Sequence, residues 1–331
     1  LVRFGTFAPQ ILHLPLISHH QALSNPTIYK RMQPLWHGVY PALTTPFTPA
    51  DELDFPTFEK NMSAQIAAGV HGIVLGGTLG EASSLLNEEK YDLVRFAVEK
   101  AAGRVPVIMN IAEQTTRAAV AAAREAQRCG AAGLMLLPPM RYKADDRETL
   151  AYFRAVAEAT PLPIMIYNNP VDYKILVTLD MFEEMAQWPT VQAVKESTRD
   201  VSNVTRMINR FGDRFTLLCG VDTLALESLL LGAQGWVAGL VDAFPHETVA
   251  IYQLAKAGKV EEARRIYQWF MPLLELDIHP KLVQYIKLAQ VATGMGTEYV
   301  RAPRLPIEGK EREEVWRIIQ LALARRPQLA V

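Results

Sequence analysis

Short apolar runs alternate with amphipathic stretches along most of the chain. The runs are GVYPALTTPF, GIVLGG, VPVIMNI, GLMLLPP, PIMIYNNP, VQAVKES, FTLLCGVD and GWVAGL. Each is rich in β-branched or large aliphatic residues and too short for a stable helix, so the eight are read as strands. Between them apolar positions recur three and four apart, the spacing of one buried helical face, over 54–69, 88–102, 115–129, 146–159, 178–187, 200–211 and 223–231. Several of these begin at a Thr, Asp or Asn that can accept from the free backbone N–H groups of a first turn. Beyond Leu240 only helical patterns remain, over 246–258, 260–275, 279–293 and 311–325.

Strand starts recur about every 30 residues, the length of one βα unit. Strands that are hydrophobic on both faces belong to a parallel sheet covered by helices, and eight such units over about 200 residues favour closure into a (β/α)8 barrel of the α/β class. An open doubly wound sheet is the rival. It would carry a glycine-rich phosphate loop after its first strand, and GVYPALTTPF contains neither GxGxxG nor GxxxxGK[ST]. The expected architecture is thus a TIM barrel spanning 38–331, with a helical C-terminal extension from about 260. Residues 1–37 carry no acidic side chain, the first being Asp51, and show no sustained period. They are set aside as an extension, disordered or outside a native protein that begins near Met32, with a targeting segment as the lesser alternative. Their longest apolar stretch, 11–17, is broken by His13 and Pro15 and is too short to span a bilayer.

Composition narrows the partners. Lys+Arg number 34 against Asp+Glu 35, with 50% hydrophobic residues, which excludes disorder and collagen and leaves no basic patch for nucleic acid or an anionic membrane. A small molecule is the expected partner. Cys129 and Cys219 stand in apolar surroundings without a CxxC motif or a His at ligand spacing, so both are read as buried thiols in a reducing, cytoplasmic setting, with no zinc site.

In such barrels chemistry collects at the C-terminal ends of the strands. In VQAVKES the period of two puts Val191, Ala193 and Lys195 on one face, so Lys195 is expected to point into the barrel mouth. Lost hydration there depresses an amine's pKa and leaves part of it free to attack a carbonyl and form a Schiff base. The alternative is a strand-end lysine paired with Glu196. Tyr167 stands 28 residues earlier in PIMIYNNP, close to one repeat, which places it at the same height on the adjacent strand and within hydrogen-bonding range of Lys195. A phenol there can move protons during Schiff-base chemistry; its alternative is a core ring with the hydroxyl on a backbone carbonyl. Asn168, Asn169 and Pro170 read as a turn ending the strand. The second strand ends in GGTLGEAS, where Gly76, Gly77 and Gly80 permit close backbone approach and the backbone amides of so tight a turn, with the hydroxyl of Thr78, can cradle a carboxylate. Glu81 is expected only to brace or cap that loop.

GGTLGE after a second strand, YNNP after a fifth and KES after a sixth together resemble the dihydrodipicolinate synthase and N-acetylneuraminate lyase family, from about Gly38 to the C-terminus. The resemblance implies a metal-free and cofactor-free class I mechanism. Lys195 would form the Schiff base with the C2 carbonyl of a 2-oxo acid, Tyr167 would relay protons, and Gly77 and Thr78 would hold the C1 carboxylate. It also implies a homotetramer. Leu79, Met140 and Gly239, the last in AGLVDAFP, complete the expected substrate-binding set.

Three departures bear on the reaction. Met140 stands where the family's synthases place a tyrosine lent to a neighbouring subunit, Leu79 replaces the second threonine of the loop, and Asp172 occupies the place of an arginine that binds the carboxylate of aspartate semialdehyde. Tyr142 or Arg141 are the candidates to substitute in space. These departures turn the expectation from condensation to elimination. By overall likeness the chain resembles 1-pyrroline-4-hydroxy-2-carboxylate deaminases, which give 2,5-dioxopentanoate and ammonia. A 2-keto-3-deoxy-L-arabonate dehydratase is the first alternative, a 4-hydroxy-2-oxo acid retro-aldolase or a dihydrodipicolinate synthase the next, and a non-catalytic binding barrel the reading from another class. His246 and His279 are taken as helix caps or surface groups, with His279 able to reach a substrate if the C-terminal helices fold over the barrel mouth.

Overall fold

The hydrophobic runs form strands β1 (Gly38–Pro41), β2 (Ile73–Leu75), β3 (Val107–Ile111), β4 (Gly133–Leu136), β5 (Ile164–Asn168), β6 (Val191–Glu196), β7 (Thr216–Cys219) and β8 (Gly235–Ala238), in a computed structural model that describes residues 35–139 and 142–329. All neighbours pair in parallel, in the order β1-β8-β7-β6-β5-β4-β3-β2. A parallel bridge between Ala42 and Val74 closes the sheet on itself, with Leu43 N donating to Val74 O at 3.0 Å. The result is the expected TIM barrel.

Helices α1 (Phe55–Ala67), α2 (Asn87–Ala101), α3 (Thr116–Arg128), α4 (Asp146–Ala159), α5 (Pro170–Tyr173), α6 (Leu179–Met185), α7 (Ser202–Phe211), α8 (Ala225–Leu230) and α9 (Pro245–Lys256) alternate with the strands, and α10 (Val260–Leu274), α11 (Leu282–Thr293) and α12 (Gly309–Ala324) follow. Their starts are set by side chains that accept from first-turn amides. Asp54 takes the N–H of Thr57 at 3.0 Å and Thr115 that of Ala118 at 3.2 Å, while Asp145 and Glu148 form a reciprocal capping box.

Alternate strand positions feed two buried layers. Ile73, Leu75, Ile164, Ile166 and Leu217 pack outward against helix residues such as Ala122, Phe153 and Phe182. Val74, Met165, Ala193 and Leu218 belong to a second cluster with Tyr40 and Trp236, which continues into α9 to α11. Both strand faces are therefore covered, which is why the runs read as nearly continuous apolar sequence. The folded body begins ahead of β1: Trp36 is buried and its ring stacks on that of Tyr40, whose hydroxyl accepts from Trp36 N at 3.1 Å. The expectations for residues 1–34 lie outside the described residues.

Three local differences from the sequence expectation have physical causes. β1 stops at Pro41, because beyond Ala42 the segment is held by side-chain bonds, Thr44 Oγ1 donating to Gln290 Oε1 at 2.9 Å and Thr45 Oγ1 to Gly80 O at 2.7 Å. The turn expected at Asn168 to Pro170 becomes the single-turn helix α5. Pro170 at its first position has a fixed helical φ, Asn169 Oδ1 accepts from Asp172 N at 3.2 Å, and Lys174 ends the turn at φ 65°. The helix expected over 279–293 starts only at Leu282, since Pro280 holds His279 in an extended conformation, ψ 148°. The thiols of Cys129 and Cys219 are both free and buried, and among the described residues no helix is long and apolar enough to cross a membrane.

Candidate active site

Tyr167 and Lys195 are register partners on β5 and β6. Equal height on parallel neighbours sets the side chains side by side, and the Lys195 amine lies 4.0 Å from the centre of the Tyr167 ring. The contact is a cation over the ring face, in place of the hydrogen bond expected to the hydroxyl. Both residues are 7% exposed. Glu196 faces the other way, its carboxylate accepting from Thr198 N and Asn203 Nδ2 at 2.8 Å each, so it does not pair with the lysine. Nor does the Tyr167 hydroxyl rest on a backbone carbonyl: it accepts from Asn169 Nδ2 at 3.2 Å.

The two open into a cleft of about 450 Å³ at the C-terminal ends of the strands. Burial lowers the Lys195 pKa, opposed by the field of Tyr173 and of Asp277. Burial also pushes Tyr167 up to about 12, against the hydrogen bond from Asn169 that lowers it. The pair is thus an amine that gives up its proton more readily than an exposed lysine, beside a phenol that stays protonated at neutral pH. Space for the lysine comes from the residue that follows β7. A Cβ on Gly220 would sit 2.6 Å from Lys195 Cε and 2.2 Å from Ser197 Oγ, so any side chain there would displace the amine.

Gly77, Thr78, Leu79 and Gly239 all line this cleft. Gly76, at φ 66°, turns the loop, and Asn110 Nδ2 from β3 holds its carbonyl at 2.9 Å. Gly239 N donates to Asp222, whose carboxylate also takes Trp236 Nε1 and Leu240 N at 2.8 Å each. A Cβ on Gly239 would lie 2.3 Å from Asp277 Oδ1. Met140 lies outside the described residues, as does Arg141. Tyr142 is 57% exposed and takes no part in the cleft wall.

Several lining groups gave no sequence signal strong enough to be singled out. Tyr173, at the end of α5, bonds to the Thr78 hydroxyl at 2.6 Å and meets the Tyr167 ring edge-on, with centroids 5.3 Å apart. Its only cue is a position six residues after Tyr167. Arg199, at φ 62° in the loop after β6, lies 3.8 Å from the Asp172 carboxylate. Asp277 comes from the segment between α10 and α11; burial, and then the neighbouring charge of Asp222, raise its pKa well above the usual carboxylate range. His279 reaches the same wall and also caps locally, Nδ1 accepting from Lys281 N at 3.1 Å. His246 is exposed.

Glu81 braces the glycine loop. It is fully buried at φ 56°, and its carboxylate meets Lys287 Nζ of α11 at 2.5 Å and Arg301 N at 3.1 Å. Glu81→Ala leaves a buried ammonium with Tyr299 O, at 2.6 Å, as its remaining close partner. A loss of about 3–5 kcal/mol in urea unfolding is expected, the scale for breaking a buried pair from one side. A loss below about 1 kcal/mol would show that the pair does not hold the loop.

A closed parallel barrel with a buried lysine beside a tyrosine on the preceding strand, both facing an open cleft, defines a barrel equipped for carbonyl chemistry at an amine. The chain belongs to the Dihydrodipicolinate synthetase family, a family of lyases, whose pattern matches residues 35–322. It is 36% identical over 276 residues to the 4-hydroxy-tetrahydrodipicolinate synthase of Exiguobacterium sibiricum, covering 82% of this chain and 92% of that one. It is 35% identical over 295 residues to the synthase of the same name from Sorangium cellulosum, covering 87% and 97%. The crystal structure of dihydrodipicolinate synthase from Aquifex aeolicus superimposes with a TM-score of 0.82 at 28% identity, over 86% of this chain and 97% of that one.

Proposed function

We propose that this lyase forms a Schiff base between Lys195 and C2 of a five-carbon 2-oxo acid or its cyclic imine and eliminates the C4 hydroxyl, most specifically as a 1-pyrroline-4-hydroxy-2-carboxylate deaminase. The register pairing of Tyr167 with Lys195 supports the Schiff base. The amine adds to C2, Tyr167 supplies and withdraws protons at the carbinolamine, and the Gly77–Thr78 amides hold C1. Once the iminium exists, the C3 proton is acidic, because its electron pair delocalises into the C=N bond. The C4 hydroxyl then leaves as water. In the cyclic substrate the ring C2–N bond breaks as the Lys195 iminium forms, freeing the nitrogen on C5; after water is lost the unsaturation moves through C4=C5 to C5=N, and hydrolysis of that imine releases ammonia and leaves an aldehyde. The open-chain 2-keto-3-deoxy-L-arabonate loses the same hydroxyl and reaches the same dioxo acid without ammonia.

The observation that favours elimination over condensation is the pairing of Asp172 with Arg199. Arg199 is the one arginine among the described residues of the cleft wall, and a carboxylate already faces it. A second substrate carboxylate would have to displace Asp172 and meet its repulsion. The second reading is a 4-hydroxy-tetrahydrodipicolinate synthase, favoured by the names of the similar proteins and by the presence of Arg199 at the mouth.

Product analysis separates the two. With the hydroxypyrroline carboxylate, ammonia and 2,5-dioxopentanoate are expected. With pyruvate and aspartate semialdehyde, condensation is expected to be slower by roughly one to two decades, the cost of a missing charge-assisted contact. Condensation at a rate comparable to elimination would overturn the proposal in favour of the synthase. Pyruvate or glyoxylate released from 4-hydroxy-2-oxoglutarate as the fastest reaction would mark a retro-aldolase.

A further inference from the structure

We propose that Tyr173 is the third member of the proton path, carrying protons between Tyr167 and the solvent-exposed Thr78, so that one chain holds the whole path. This rests on the reading of Lys195 and Tyr167 given above. The path is graded in exposure. Tyr167 is buried, Tyr173 is half-buried, and Thr78 is exposed at the cleft mouth. The Thr78 and Tyr173 hydroxyls are 2.6 Å apart, and the Tyr173 ring stands edge-on to that of Tyr167 at 84° with centroids 5.3 Å apart.

Helix α5 fixes this placement. Tyr173 N donates to Asn169 O at 3.0 Å, and Asn169 Nδ2 reaches both the Tyr167 hydroxyl, at 3.2 Å, and Asp172 Oδ2, at 2.7 Å. One asparagine therefore ties the inner phenol to the helix that carries the outer one. A tyrosine serving only as packing would not need its hydroxyl bonded to a loop threonine at the mouth.

The protons balance along the path. When the Lys195 amine adds to the carbonyl, a C–N bond forms and the π pair moves to oxygen, which takes the Tyr167 proton. Tyr173 then protonates the Tyr167 phenolate and is itself reprotonated from water through the Thr78 hydroxyl. The extra proton on the new ammonium leaves to solvent, so the carbinolamine is neutral. Run in the opposite direction, the path carries a proton outward from the cleft.

Tyr173→Phe tests this, because it keeps the ring and removes the hydroxyl. Turnover is expected to fall roughly 10²-fold with KM little changed, and exchange of the C3 protons of a bound 2-oxo acid with deuterated water should slow in parallel. Added imidazole, a small diffusible proton carrier, should restore part of the Tyr173→Phe rate and leave the wild type unaffected. Turnover and exchange within about threefold of wild type would overturn the proposal, as would a slowed variant that imidazole does not rescue. If Tyr173→Phe fails to fold, Thr78→Val cuts the outer end of the same path, and the same two readouts decide. Wild-type chain that forms no borohydride-trapped adduct on Lys195 would overturn both this proposal and the reading beneath it. An adduct on Lys195 together with an unimpaired Tyr173→Phe overturns this proposal alone.

Discussion

Lys195→Ala will lose covalent trapping altogether. In the wild type, borohydride reduction in the presence of a 2-oxo acid should attach the ligand to this residue, whereas the variant should retain its fold and show turnover lower by about five to six decades, the scale seen when a covalent nucleophile is removed. The reactive form is the free amine, so the sign of the pH dependence follows from the direction of the shift. Burial holds the folded pKa below 10.5. The trapping rate should therefore rise with pH and level off before 10.5, and more of the amine is neutral at pH 7 than in an exposed lysine. An adduct mapped to a different lysine, or a rate still climbing with unit slope through pH 10.5, would sink the assignment.

Tyr167→Phe is the second large effect. The phenol is pushed to about 12 by burial, so it stands protonated across the working range and serves as donor first and as acceptor only after giving up its proton. Removing the hydroxyl leaves the ring under the Lys195 amine and should preserve stability, because the cation-over-ring contact at 4.0 Å needs only the ring face. Turnover should fall by roughly 10²–10⁴, the range typical of general acid–base groups. Since the ring remains, the trapping site should still be Lys195, formed more slowly. A fall of less than threefold would return Tyr167 to a packing role.

The barrel was legible in the sequence because its physics is periodic. Strands covered on both faces leave unbroken apolar runs, and the period of two puts Ala193 and Lys195 inward together; Val191, expected on the same face, packs in the outer layer instead, because a bulge in the β5–β6 pairing shifts the register between it and Ala193. The match in height between Tyr167 and Lys195 followed from repeat length alone and appears as direct register. What the sequence did not disclose arises where no period operates. Tyr173 reaches the cleft because Pro170 and the Asn169 cap wind one helical turn after β5, a geometry hidden in a segment that reads as a plain turn. Gly220 makes room for Lys195 from just past the end of the neighbouring strand. Arg199 and Asp277 arrive on loops, and Asp277 comes from beyond the barrel repeat, where helical periodicity marks the helices but says nothing of which interruption faces the mouth. His279 was legible only conditionally, since its reach depended on how the C-terminal helices pack.

The brace beneath the glycine loop has a consequence for how the protein is made. Glu81 and Lys287 are 206 residues apart, so during synthesis the loop emerges long before the helix that will neutralise its buried carboxylate. Contacts of such separation carry a heavy closure cost and form late. Until α11 has left the ribosome and docked, the carboxylate must stay hydrated and the loop cannot settle into its final shape. An incomplete chain therefore lacks a finished cradle for a 2-oxo acid, and the reactive amine meets its substrate in an ordered site only once nearly the whole polypeptide has been assembled.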